Sequence, residues 1–100
     1  MTIIEEHIND INQLCSIHKV KQLYAFGSVL TDKFNKDSDI DLIVNFEPID
    51  IAQYADNYYD LKFSLEGVLQ KRVDLLEDKA IKNPYFRQVI DKQRHLIYEH

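Results

Sequence analysis

The stretch Asp39-Ile40-Asp41-Leu42-Ile43-Val44-Asn45-Phe46 constrains this chain more than any other. Strand side chains alternate between faces, so Ile40, Leu42 and Val44 point one way and Asp39, Asp41, Ile43 and Asn45 the other. The pattern predicts a strand over 39–46 with an apolar side for a core and two carboxylates sharing the opposite side.

The remaining segments offer that strand its neighbours. Thr2 and Glu5 have capping-box spacing, and Ile4, Ile8, Ile11, Cys15 and His18 recur every three or four residues. One amphipathic helix ending near His18-Lys19 is expected. Val20 to Phe26 gathers β-branched and aromatic residues and stops at Gly27, as a strand does. A short helix is expected over 28–33, then turn chemistry in Asn35-Lys36-Asp37-Ser38. Pro48 and Asp50 end the 39–46 strand and open a helix in which Ile51, Tyr54, Tyr58, Leu61, Leu65 and Val68 keep helical spacing. Gly67 weakens its last turn. Residues 72–77 read as a third strand, with Val73 and Leu75 on one face and Asp74 and Leu76 on the other. Asn83 before Pro84 is an N-cap and first-turn pair for a final helix through about Gln93, and 95–99 reads as a short edge strand. The expected class is α/β (α+β), a small sheet of three to four strands flanked by helices.

With 100 residues and a hydrophobic fraction of 45%, the chain reads as one domain, 1–100. Its 12 basic and 17 acidic residues leave a net charge of −5, which disfavours binding to bulk nucleic acid. A bound divalent cation can still supply the positive field that a small anionic substrate needs. Cys15 is the only cysteine, so no internal disulfide is possible. The longest uninterrupted apolar run, Leu23 to Phe26, is four residues, and the N-terminus lacks a basic region. No signal peptide or membrane span is expected, and a cytoplasmic location is.

Three features point to chemistry. Gly27-Ser28 ends the first strand, where glycine lets another group approach the backbone and exposed N–H groups and a hydroxyl can meet phosphate oxygens. Alone, such a pair is a common strand-ending turn. Asp39 and Asp41 share a face, and like charges so close repel unless a cation lies between them. Hard oxygen ligands of this kind suit Mg²⁺, although an isolated Asp-x-Asp is more often a solvated acid and a turn cap. Asp74 interrupts an apolar strand. If that strand lies beside the second, Asp74 can join the other two acids, and a carboxylate triad can hold two metal ions about 3.5–4 Å apart.

The combination of Phe26-Gly27-Ser28, ten intervening residues, Ser38-Asp39-Ile40-Asp41-Leu42-Ile43-Val44 and then Arg72-Val73-Asp74-Leu75-Leu76 resembles the nucleotidyltransferase superfamily that includes DNA polymerase β. It resembles the small stand-alone minimal nucleotidyltransferases more closely, and the order of helices and strands matches along nearly the whole chain. The resemblance implies the nucleotidyltransferase fold, a mixed sheet, and transfer of a nucleoside monophosphate, AMP from ATP, to a hydroxyl with release of pyrophosphate. It assigns Gly27 and Ser28 to the triphosphate, and Asp39, Asp41 and Asp74 to two Mg²⁺ ions, with Asp74 also activating the acceptor hydroxyl. It implies a partner too: a small helical HEPN toxin, which such proteins neutralise as antitoxins by adenylylating a tyrosine or by binding it. Acceptor recognition would come from that partner or from another subunit, in a homo- or hetero-oligomer. One departure stands out: many minimal members carry an Arg-Gly pair shortly after the Gly-Ser turn, where this chain has Thr31 and Asp32. Lys33 and Lys36 are the nearest cations, and each could contact a phosphate only as a point charge.

Two further readings belong to other classes. A non-catalytic module of the same fold would neutralise its partner by contact alone, and nucleotide addition to RNA or to an antibiotic would need an acceptor domain. The four histidines, His7, His18, His95 and His100, are too scattered for a zinc site. Cys15 reads as a packed thiol on the first helix. Tyr54, Tyr58 and Tyr59 could stack on a nucleobase, but their spacing favours packing. For Pro84-Tyr85-Phe86-Arg87 the resemblance implies structural packing, and Arg87 could pair with an acid or line the site.

Overall fold

The alternation of residues 39–46 is realised in an inner strand, and the other elements are placed by what they offer it. The computed structural model describes residues 2–100. In chain order these form α1 (Thr2–Glu6), α2 (Ile8–Ile17), β1 (Val20–Phe26), a 3-10 turn (Gly27–Leu30), β2 (Ile40–Phe46) and α3 (Ile51–Leu69). Then come β3 (Val73–Glu77), a second 3-10 turn (Asp78–Ala80), α4 (Pro84–Gln93) and β4 (His95–Glu99). The sheet order is β3-β2-β1-β4, with β1 antiparallel to both β2 and β4 and with β2 parallel to β3. The fold is thus the mixed α/β one expected. A parallel pair needs a long crossover, and the 19-residue α3 provides it.

One face of the sheet carries the core. Leu23 and Ala25 of β1, Ile40, Leu42 and Val44 of β2 and Val73 and Leu75 of β3 are buried there with Ile11 and Cys15 of α2 and Leu61, Leu65 and Leu69 of α3. Spacings of four put each helical set on one stripe, and burying each large aliphatic side chain stabilises the fold by roughly 1.5–3 kcal/mol. Leu69, four residues after Leu65, completes the α3 stripe in place of Val68, which is only partly buried. Ile51 stands almost wholly exposed at the start of α3.

The opposite face carries Tyr24 and Phe26, Asp41 and Ile43, Asp74 and Leu76, which the ladder registers set side by side. Helix α4 covers part of it: Phe86 meets Phe26 edge-on at 5.9 Å between ring centroids, and the Arg94 guanidinium lies 4.3 Å from the Tyr24 ring centroid. Ile43 and Ile90 are fully buried outside the main core. The end of this face bearing the acids stays open.

Three local expectations are corrected. The single helix expected over residues 2–18 is broken at His7, whose N–H donates to Ile4 at three-residue spacing, while α2 resumes with the Ile11 N–H on the His7 carbonyl. Apolar periodicity runs through the break, so the two pieces read as one. Thr2 lies inside α1 and is not its cap. The helix expected over 28–33 is a single 3-10 turn, because Thr31 is extended and directs both its N–H and its hydroxyl to the Ser28 carbonyl at 2.9 Å.

Elsewhere caps act as expected. Asn83 Oδ1 accepts from the N–H groups of Tyr85 and Phe86 at 2.9 and 3.1 Å. Helix α3 continues through Gly67 and stops at Gln70 (φ 55°, ψ 40°), whose N–H returns to the Glu66 carbonyl. The Glu66 carboxylate then accepts the Val73 N–H at 2.9 Å and steers the chain into β3.

Candidate active site

Asp41 and the glycine turn meet where β1 ends and β2 begins, and Asp74 stands beside Asp41 on the neighbouring strand β3. Gly27 has φ +79°, in the left-handed region that side chains disfavour. A Cβ on Gly27 would lie 2.6 Å from Asp41 Oδ2, so only glycine lets the turn close against this carboxylate. Asp41 is opposite Phe26 in the antiparallel ladder and opposite Asp74 in the parallel one, which puts the two acids on one face of adjacent strands. Asp39 is exposed one residue before β2 and shares the parity of Asp41.

Electrostatics couples the three acids. The Asp41 carboxyl holds its proton above the usual carboxylate range, first because it is partly buried and then because the charges of Asp74 and Asp39 oppose its ionisation. Among the described residues no three or more acid, histidine or cysteine side chains are placed close enough together to hold a metal ion as they stand. The donor set still fits a hard divalent cation: carboxylate oxygens only, with a glycine backbone where a side chain would intrude.

The loop after the glycine turn is tied by its own side chains. Asn35 Oδ1 accepts the Asp37 N–H at 2.8 Å, and Ser38 Oγ accepts the Asn35 N–H at 3.1 Å. Thr31, Asp32, Lys33 and Lys36 are all exposed. Sequence reasoning missed Lys71, whose ammonium donates to the carbonyls of Asn35, Lys36 and Ser38. Its only sequence signal is its place just before Arg72-Val73-Asp74.

The tyrosines of α3, Arg87 and Cys15 serve the framework. Tyr54 donates to Glu77 and Tyr58 to the Leu75 carbonyl, so both hydroxyls fasten α3 to β3. These rings, with Tyr59, Leu76 and Ala80, line a groove of about 400 Å³. Arg87 is paired with Asp78 and, at 3.2 Å, with Asp91, while Arg94 reaches Asp78 at 3.3 Å. Cys15 is wholly buried, and burial pushes its thiol up to about 12.

A mixed sheet with a glycine turn closing on paired strand carboxylates is the layout of a nucleotidyltransferase. The family described as polymerase beta, nucleotidyltransferase matches residues 9–100, and this chain belongs to it. MJ1379 of Methanocaldococcus jannaschii, named as a protein adenylyltransferase, is 36% identical over 81 residues, covering 81% of this chain and 78% of that protein. The protein adenylyltransferase MntA of Thermococcus cleftensis is 27% identical over 99 residues, covering 91% of this chain and 94% of that one. A solved structure described as a minimal nucleotidyltransferase superposes with a TM-score of 0.76 at 28% identity, covering 92% and 90% of the two chains. A solved complex of a tri-AMPylated Shewanella oneidensis HEPN toxin with an MNT antitoxin shares the fold, with a TM-score of 0.64 at 21% identity over 96% of this chain and 72% of that one. No helix among the described residues is long and apolar enough to cross a membrane.

Proposed function

We propose that this chain is a Mg²⁺-dependent adenylyltransferase that transfers AMP from ATP to a tyrosine hydroxyl of a HEPN toxin, and so acts as an antitoxin in the cytoplasm. The observation that carries the reading is the closure of Gly27 on Asp41 with Asp74 opposite in the ladder. The names of its relatives as protein adenylyltransferases support the reaction class, and the HEPN–MNT complex supports the partner.

In this reading Asp39, Asp41 and Asp74 hold two Mg²⁺ ions. When bound, Mg²⁺ supplies the positive charge that a triphosphate of charge near −4 requires in an acidic pocket. Gly27 and Ser28 bind the β- and γ-phosphates through backbone N–H groups and the Ser28 hydroxyl. With no Cβ at Gly27, the phosphates can approach the backbone beside Asp41. Asp74 stands on the open face, where its carboxylate can accept the proton of the acceptor hydroxyl as that oxygen attacks the α-phosphorus and the bond to pyrophosphate breaks. Positioning and charge neutralisation do most of the work, with little covalent work by the protein.

The second reading, a contact-only module, draws on Thr31 and Asp32 standing where many minimal members have Arg-Gly. The two separate cleanly when the chain is incubated with labelled ATP, Mg²⁺ and its HEPN partner. Label on a partner tyrosine, lost in Asp41→Asn while the complex persists, is the expected result. A stable complex with no label on either protein assigns the contact-only role instead.

A further inference from the structure

The Lys71 ammonium has three N–H donors and three carbonyl oxygens to receive them, Asn35 and Lys36 at 2.9 Å and Ser38 at 3.1 Å. It also lies 4.8 Å from the centroid of the Phe34 ring. Residues 34–38 are thus wrapped around one cation supplied by a distant part of the chain. Immediately after them comes Asp39. The residue before Asp39 is held by Lys71 through its carbonyl, and the residue after it, Ile40, donates its N–H to the Arg72 carbonyl at 2.9 Å. Asp39 is therefore fastened on both sides to residues 71 and 72, and those residues lead into the strand that carries Asp74.

We propose that Lys71 is a positioning residue: by filling the carbonyl cage of residues 35–38 it fixes the Asp39 carboxylate relative to Asp41 and Asp74 for a divalent cation. The inference rests on the reading of the three acids as cation ligands. Loop residues 31–39 belong to neither strand nor long helix, so the Asp39 backbone has no ladder of its own to hold it. Supporting groups that orient a ligand carboxylate act on metal affinity, because a ligand free to swing away must be ordered when the ion binds. A compact ammonium suits three inward carbonyls, whereas the planar fork of arginine keeps the charge but fits them less well.

The test uses the full chain without nucleotide or partner. Mn²⁺ binding is read from the paramagnetic signal of the free ion, and amide hydrogen exchange is read at residues 35–40. Lys71→Met keeps the stem and removes the charge. It should speed exchange across the loop and weaken Mn²⁺ binding by about tenfold or more, with Lys71→Arg falling between it and the wild type. Unchanged Mn²⁺ affinity in Lys71→Met, even with a lower melting temperature, overturns the proposal, because a purely structural role moves only the latter. Should Lys71→Met fail to fold, Lys71→Arg decides alone: weaker Mn²⁺ binding with faster loop exchange supports the role, and wild-type behaviour in either measurement overturns it. Wild-type protein that takes up no Mn²⁺ overturns the cation reading of the acids itself, an outcome distinct from wild-type binding that Lys71 variants leave untouched.

Discussion

Asp41 sits in a conflict: it is partly buried, pressed against Gly27 and opposed by two other acids. Its folded-state pKa is raised, so between the ordinary value of 3.8 and the raised one the folded chain binds more protons than the unfolded chain. Stability contributed at this site therefore falls as pH rises through that window, and the cost persists above it. Asp41→Asn cannot ionise, so the metal-free variant should melt above the wild type at neutral pH. The difference should vanish in melts run below pH of about 3, where both states of the wild type are protonated. A second residue-scale prediction concerns Cys15, which is fully buried with its thiol pushed up to about 12. It should resist thiol reagents in the native protein and react only as fast as the fold opens, which labelling rates across a urea series will show. The parity of Asp39 and Asp41 and the place of Gly27 were readable locally, since each follows from a period of two or from a strand's end. The three carbonyls on Lys71 were not, because its partners lie more than thirty positions away.

Helix α4 shows at the element scale how a cap and two ion pairs hold a segment that buries little. Asn83 caps two N–H groups, Arg87 binds Asp78, and Ile90 is its one fully buried residue. Asn83→Ala should lower stability by about 1 kcal/mol, seen as a lower urea midpoint with an unchanged slope. Because Phe86 of α4 packs on Phe26, next to Gly27, the same variant should also loosen that end of the open face. The Asn83-Pro84 start was plain in the sequence, since cap chemistry is local. The break at His7 was not, because the apolar spacing from Ile4 to Ile11 is kept through it and only the hydrogen bonds change. The helix expected over 28–33 stops as a 3-10 turn at Gly27–Leu30 because Thr31, neutral by propensity, uses its hydroxyl to close the turn.

For the whole molecule, helices α1, α2 and α3 and three of the strands share a single main core. We expect one cooperative transition for residues 1–100, with helical circular dichroism and the fluorescence of the six tyrosines changing together in urea. Separate midpoints would show that α4 and β4 unfold apart from the rest. What the amino-acid order determined by itself is whatever repeats within a turn or a pleat: the strands, the long crossover helix, the cap at Asn83, the paired acids and the glycine before them. Periodicity and cap chemistry act over a few residues, so they survive without knowledge of the fold. Only the tertiary structure decided that β3 lies parallel to β2 with Asp74 opposite Asp41, that α4 sets Phe86 against Phe26, and that Lys71 closes the loop before Asp39. Those depend on ladder register and on contacts between distant segments, which are settled by the joint burial of many side chains and leave no mark in any short window of sequence.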